Sequence, residues 1–171
     1  MTDNKSGLNS ATGGGVSTKF ERPDWQSEVP AINRDNGRSG RGLPDVVASG
    51  DPGKGVVIVI RGSKVVVGGA GTSVPVWVGL IARLNQALGY NVGYLNPRLY
   101  QKIDPESVLR NISKGQNSIS GVEGYSAGPG WSPVAGWGSP DGSKLLDWLR
   151  THPDRVVDNR LSAVACPPSS R

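Results

Sequence analysis

The hydrophobic pattern changes character three times along the chain. From residue 1 to about residue 50, apolar positions are scattered among Gly, Asn, Ser, Arg and Pro with neither a period of 2 nor one of 3.6. This stretch is predicted to be coil, ordered only by packing onto something else. Val56-Val57-Ile58-Val59-Ile60 and Lys64-Val65-Val66-Val67 then flank Arg61-Gly62-Ser63. Two β-branched runs across a short glycine-containing turn predict a β-hairpin. After the cluster Gly68-Gly69-Ala70-Gly71, Pro75 stands at a first-turn position, and Val76, Trp77, Val78, Leu80, Ile81, Leu84 and Leu88 follow before Gly89. Proline near the start and glycine just past the end bracket a helix over 75–88. Its apolar residues lie on nearly every side, as in a helix at the centre of a larger body, so the pattern calls for more covering surface than this chain provides.

Downstream of Leu95 the pattern shortens. Asn96-Pro97-Arg98-Leu99-Tyr100 predicts a short helix, Tyr125 to Pro140 a loop rich in Gly, Pro and Trp, and 143–150 an amphipathic helix carried by Leu145, Leu146, Trp148 and Leu149. Residues 1–9 read as a polar N-terminal segment and 151–171 as a flexible C-terminal tail. No internal repeat is present.

Composition narrows the classes. A chain of 171 residues with 36% hydrophobic residues and 25 glycines fits one loop-rich globular domain and excludes collagen-like and disordered chains. The apolar stretch Val74 to Ala82 falls well short of the roughly 20 residues that cross a bilayer, so no membrane span is expected. Met1-Thr2-Asp3-Asn4-Lys5-Ser6 has no apolar segment behind its lysine and does not read as a secretory signal. The single cysteine, Cys166, gives no intramolecular disulfide, and with His152 alone nearby it gives no zinc site. A net charge of +5 predicts only weak attraction to polyanions. Arg34, Arg38 and Arg41 lie among glycines but in no nucleic-acid-binding motif, so no specific nucleic-acid partner is expected.

Specific words complete the reading. Thr12-Gly13-Gly14-Gly15-Val16-Ser17, Trp25-Gln26, Gly40-Arg41-Gly42-Leu43-Pro44-Asp45-Val46 and Asp51-Pro52 occur in order, followed by Val66-Val67-Gly68-Gly69 and Leu80-Ile81-Ala82-Arg83-Leu84-Asn85-Gln86. Gly93-Tyr94-Leu95-Asn96-Pro97, Tyr125-Ser126-Ala127-Gly128-Pro129-Gly130-Trp131 and Gly138-Ser139-Pro140-Asp141-Gly142 continue the series. Over residues 10–150 the chain resembles the C-terminal part of the catalytic domain of sedolisins, the serine-carboxyl peptidases, in their kumamolisin-like branch. The resemblance implies an α/β class: the C-terminal portion of a subtilisin-like fold with a mostly parallel sheet, the β-hairpin, and a central buried helix begun by the nucleophilic serine. It also implies a glutamate base oriented by an aspartate four residues later, and a further aspartate at the oxyanion, all upstream of residue 1. The only acidic pairs at that spacing here are Asp24/Glu28 and Asp154/Asp158, both outside the family motif and read as solvated surface pairs.

Gly71-Thr72-Ser73 repeats the family's Gly-Thr-Ser word in a shifted register. Val67-Gly68-Gly69 and Pro75-Val76-Trp77 anchor both sides without a gap, which puts Gly71 at the nucleophile position. Ser73 takes that place only through two compensating shifts; otherwise it caps the helix. The family's calcium positions read Asn111, Ile112, Gly128, Gly130 and Ser132, both carboxylates having been replaced. A hard dication loses affinity with ligand charge, so no tight calcium site and no cofactor are expected. These departures predict a truncated domain, inactive as this chain: either a remnant or a piece that docks onto an N-terminal peptidase half or another protein chain. The alternative is an acid endopeptidase completed by such a half, with Ser73 as nucleophile and a polypeptide as substrate. The family is commonly secreted, yet no signal is read here, and the compartment stays open.

Overall fold

The computed structural model describes residues 11–101 and 104–153. The expected N-terminal segment 1–9, and the tail from residue 154 on, lie outside the described residues.

Residues 11–50, expected to be coil, are coil almost throughout, but they pack onto the C-terminal part of the same chain. Strands β1 (Gly15–Val16) and β2 (Gly42–Leu43) pair antiparallel, and a short 3-10 turn at Asp24–Gln26 lies between them. Val16, Val29 and Ala31 enter the core. Gly42 has to be glycine because a Cβ there would collide with the Trp131 ring. Trp131 in turn is buried and donates its indole N–H to the Pro44 carbonyl at 3.1 Å.

The hairpin forms as its sequence predicts. Strands β3 (Val56–Ile60) and β4 (Ser63–Val67) run antiparallel, with Val57 opposite Val66 and Ile58 opposite Val65. Left-handed Arg61 and Gly62 make the turn. No hairpin residue joins the core cluster, and Val57, Val59 and Val66 stand 58%, 66% and 56% exposed.

Helix α1 occupies Ala70–Leu88, five residues longer at its start than the sequence predicts. Gly69, at φ +101°, is its N-cap and Gly89, in the left-handed region, its C-cap. Pro75 therefore sits inside the helix, where its missing N–H deletes the bond to the Gly71 carbonyl. The helix is not buried all round. Trp77, Leu80, Ile81, Leu84 and Leu88 follow one stripe toward the core, while Val74 and Val78 on another stripe are 64% and 63% exposed.

The remainder supplies most of the core. Helix α2 (Asn96–Gln101) packs on the Asp24–Gln26 turn; α3 (Pro105–Val108) leads into strand β5 (Leu109–Arg110), which pairs antiparallel with β6 (Ser139–Pro140). Helix α4 (Gly142–Thr151), capped by the Asp141 carboxylate accepting from the Lys144 N–H, lies against α1 and α3. Leu145 and Leu149 of α4 are completely buried, each contributing about 1.5–3 kcal/mol of transfer free energy. Among the described residues every ladder is antiparallel and two-stranded. The expected parallel sheet is not formed by these residues, because no third strand lies beside the hairpin. No described helix is long and apolar enough to cross a membrane.

Candidate functional site

Three places carry the polar chemistry of the chain, two of them singled out by the sequence and one brought together only by the fold. The first is the start of α1. Thr72 and Ser73 lie in its first turn and face the extended segment at residues 47–50. The Thr72 hydroxyl donates to the Gly69 carbonyl at 2.6 Å and to Ser49 O at 3.2 Å, and Ser73 Oγ donates to Ala48 O at 3.2 Å. About one turn beyond Ser73, Trp77 donates its indole N–H to Val47 O at 3.0 Å. Ser73 and Trp77 thus satisfy the carbonyls of residues 48 and 47, and Thr72, whose one proton points chiefly at Gly69, lies within reach of the next carbonyl at Ser49.

Ser73 does not cap the helix, as the sequence alternative has it: Gly69 is the N-cap and no side chain bonds there. Its hydroxyl proton goes to a carbonyl, and among the described residues no carboxylate or imidazole is hydrogen-bonded to it. The aspartates on either side of the segment are engaged elsewhere. Asp51 accepts from the Gly53 N–H at 2.8 Å, closing the Pro52–Lys54 turn, and Asp45 belongs to the second cluster. Gly71 is exposed, and a Cβ there would meet nothing within 4 Å. Positions 71 and 73 both lie within the helix, about 200° apart around its axis, so the Ser73 hydroxyl cannot stand where a side chain at 71 would point.

The second place is a buried polar network around Asp45. Its Oδ2 accepts from Arg41 Nη2 at 2.6 Å and from Asn96 Nδ2 at 2.8 Å, and its Oδ1 accepts from the Tyr100 hydroxyl at 2.8 Å. Gln26, fully buried, donates to the Tyr100 hydroxyl at 2.9 Å and exchanges two hydrogen bonds with the Gly42 backbone. The Trp25 ring lies against Tyr100 at 4.9 Å, with the Arg41 guanidinium 4.9 Å from the Trp25 centroid. Burial, with the Asp45 charge and hydrogen bond added, holds the Tyr100 phenol far above its ordinary pKa. Burial works against the Arg41 charge, but its bond to Asp45 outweighs this and raises its pKa. Every polar group here serves another, as in a scaffold rather than a reaction centre. Sequence reasoning missed the network, although the Trp25-Gln26, Arg41-to-Asp45 and Asn96-Pro97 words that carry the family resemblance run through it.

The third place holds the five calcium positions. Asn111 follows β5 and reaches Gly130, donating its Nδ2–H to the Gly130 carbonyl at 2.6 Å. Ser132 is 4% exposed; its Oγ accepts from the Ala135 N–H at 3.2 Å, and its backbone exchanges two bonds with Gly136. Gly130 takes φ +72°. Ile112 and Gly128 are half-buried. The fold brings Asn111 and Gly130 into contact and turns Ser132 into its own loop. Among the described residues no group of three His, Cys, Asp or Glu is placed to hold a metal ion.

Elsewhere, Asp24 and Glu28 are both exposed, and Asp154 and Asp158 lie outside the described residues. Arg34 pairs with Glu123 at 2.7 Å and donates to the Gly124 carbonyl.

No family model matches the chain. Kumamolisin from Bacillus sp. (strain MN-32) is 46% identical over 142 residues, 81% of this chain and 25% of that protein. Sedolisin from Pseudomonas sp. (strain 101) is 36% identical over 144 residues, 83% and 23% respectively, and human tripeptidyl-peptidase 1 is 33% identical over 160 residues, 81% and 27%. The chain thus spans about a quarter of the length of the relatives it matches. Among solved structures, Pseudomonas sedolisin, a serine-carboxyl proteinase complexed with two molecules of pseudo-iodotyrostatin, aligns with a TM-score of 0.72 at 35% identity, covering 82% of this chain and 37% of that one.

Proposed function

Because the chain belongs to the sedolisin family of serine-carboxyl peptidases, we propose that it is the C-terminal portion of such a peptidase domain and does not hydrolyse peptides by itself. The observation that carries this reading is the start of α1: Gly71, which the ungapped anchoring of the sequence sets against the family's nucleophile, has no side chain, and the Ser73 hydroxyl donates to the Ala48 carbonyl with no carboxylate or imidazole hydrogen-bonded to it among the described residues. A serine hydroxyl is a poor nucleophile until a neighbouring base takes its proton. Removing the nucleophile or its base from a related arrangement costs about a millionfold in turnover.

The bare apolar surfaces support the second half of the reading, that another polypeptide completes the domain. The hairpin offers Val57, Val59 and Val66, and α1 offers Val74 and Val78, all more than half exposed. A two-stranded hairpin alone is only marginally stable in water, and contiguous exposed apolar side chains mark surfaces that belong against something. An N-terminal peptidase half is the partner proposed. It would lay the parallel sheet beside β3 and bury the outer stripe of α1, making it the central helix of the completed fold.

The test is hydrolysis of a denatured protein from about pH 3 to about pH 7, the range in which carboxylates and histidine titrate. The unsubstituted chain and Ser73→Ala, each shown to be folded by circular dichroism, are expected to leave the substrate intact. Cleavage by the unsubstituted chain that disappears in Ser73→Ala would overturn the reading and make Ser73 the nucleophile of an acid endopeptidase.

A further inference from the structure

We infer that the Asn111 side chain closes the Gly128–Ser132 loop in the place of a cation, and that this loop holds its shape without metal. The family resemblance puts a calcium ion at Asn111, Ile112, Gly128, Gly130 and Ser132, and the residues present do not fit one. Calcium takes six to eight oxygen ligands and draws its affinity from their negative charge; this set contains no carboxylate. The Gly130 carbonyl already has a donor 2.6 Å away in Asn111 Nδ2. At that distance the amide must present nitrogen, because its oxygen would set two acceptors against each other. Ser132 is likewise occupied, its buried Oγ holding the Ala135 N–H.

The loop is nevertheless well defined. Gly130 lies in the left-handed region, Trp131 is tied to the Pro44 carbonyl at 3.1 Å, and the Ser132–Gly136 bridge closes the next turn. Asn and Asp have the same shape, so one replaced group separates the two solutions. With Asn, an N–H satisfies the carbonyl oxygen. With ionised Asp, two oxygens face each other, and a cation between them relieves the repulsion. The second departure, Ser132, removes the other charge such a cation would need. The inference concerns the loop alone and stands whether or not the chain cleaves peptides.

The experiment is thermal unfolding of the full chain in millimolar calcium and in chelator, together with terbium luminescence sensitised by Trp131, which adjoins Gly130. For the unsubstituted chain the same Tm in both buffers and no saturable terbium emission are expected; a rise in Tm with calcium, or micromolar terbium binding, overturns the inference. Asn111→Ala is expected to lower Tm by roughly 1–6 °C in either buffer, as loss of a part-buried hydrogen bond does in a chain of this size. No loss would show that the bond does not hold the loop. Asn111→Asp, alone and with Ser132→Asp, is expected to lose Tm in chelator and to recover it in calcium, most completely in the double variant. Variants insensitive to calcium would show that Asn111 does not stand where a cation would. Should a variant fail to fold, the terbium titration of the unsubstituted chain decides by itself.

Discussion

Asp45→Asn removes one charge from the network beneath α2 while leaving its shape unchanged. In the native chain three donors converge on two carboxylate oxygens, from Arg41 at 2.6 Å, Asn96 at 2.8 Å and Tyr100 at 2.8 Å. The asparagine keeps one oxygen, so if Tyr100 retains its acceptor, Arg41 and Asn96 both face an amide NH2. The Arg41 and Asp45 side chains are 18% and 15% exposed. Their pair therefore lies between an exposed one, worth about 0.2–1 kcal/mol, and a buried one, whose disruption costs about 3–5 kcal/mol. Taking about 2 kcal/mol for the pair and about 1 kcal/mol for the charge-assisted bond to Asn96 gives a loss of about 3 kcal/mol. That is a large part of an ordinary domain's stability of about 5–15 kcal/mol. Urea unfolding followed by tryptophan fluorescence reads it directly, since Trp25 and Trp137 lie 4.9 and 5.6 Å from the Tyr100 ring. The midpoint is expected to fall by about 1–2 M with the slope unchanged. A loss below about 1 kcal/mol would refute the view that Asp45 organises this part of the fold.

Two further outcomes follow from the same geometry. The folded chain holds the Tyr100 proton more tightly than the unfolded chain, whose phenol titrates near pH 10. The stability this contributes is complete below about pH 10 and is withdrawn as pH rises toward the raised folded value; urea midpoints should fall from about pH 9 to about pH 11, and Tyr100→Phe should fall less, an equal fall contradicting the assignment. Gly71→Ser adds a side chain where a Cβ meets nothing and replaces the poorest ordinary helix former after proline, so Tm should stay level or rise by a degree or two, without hydrolysis appearing in the chain alone. A lower Tm would contradict the open space at that position.

What was legible in the sequence depended on how local the cause was. The hairpin, α2 and α4 formed where expected because their patterns, turn residues and caps lie within a few residues of each element. The beginning of α1 was not legible. Gly68 to Gly71 reads as coil, and what orders the turn that follows is the set of bonds from Thr72, Ser73 and Trp77 to carbonyls more than 20 residues upstream. The same holds for Gln26, Arg41, Asp45, Asn96 and Tyr100, polar residues from separate segments whose meeting no periodicity announces. The parallel sheet came from the family resemblance and the helix buried on nearly every side from its own apolar pattern, and this chain supplies only part of what they require. At the third place the sequence named the altered residues, Asn111 and Ser132, but only the structure gives the hydrogen bonds that occupy them.

The claim that one face of this chain is packed and another awaits a partner is tested most directly by amide hydrogen exchange of the monomer, with and without a polypeptide carrying the upstream part of a sedolisin-type domain. The account predicts slow exchange in α4, whose Leu145 and Leu149 are completely buried. It predicts fast exchange through Val56–Val67 that slows when the second polypeptide is added. A monomer whose hairpin amides are already as well protected as those of α4, and do not change on that addition, would contradict it.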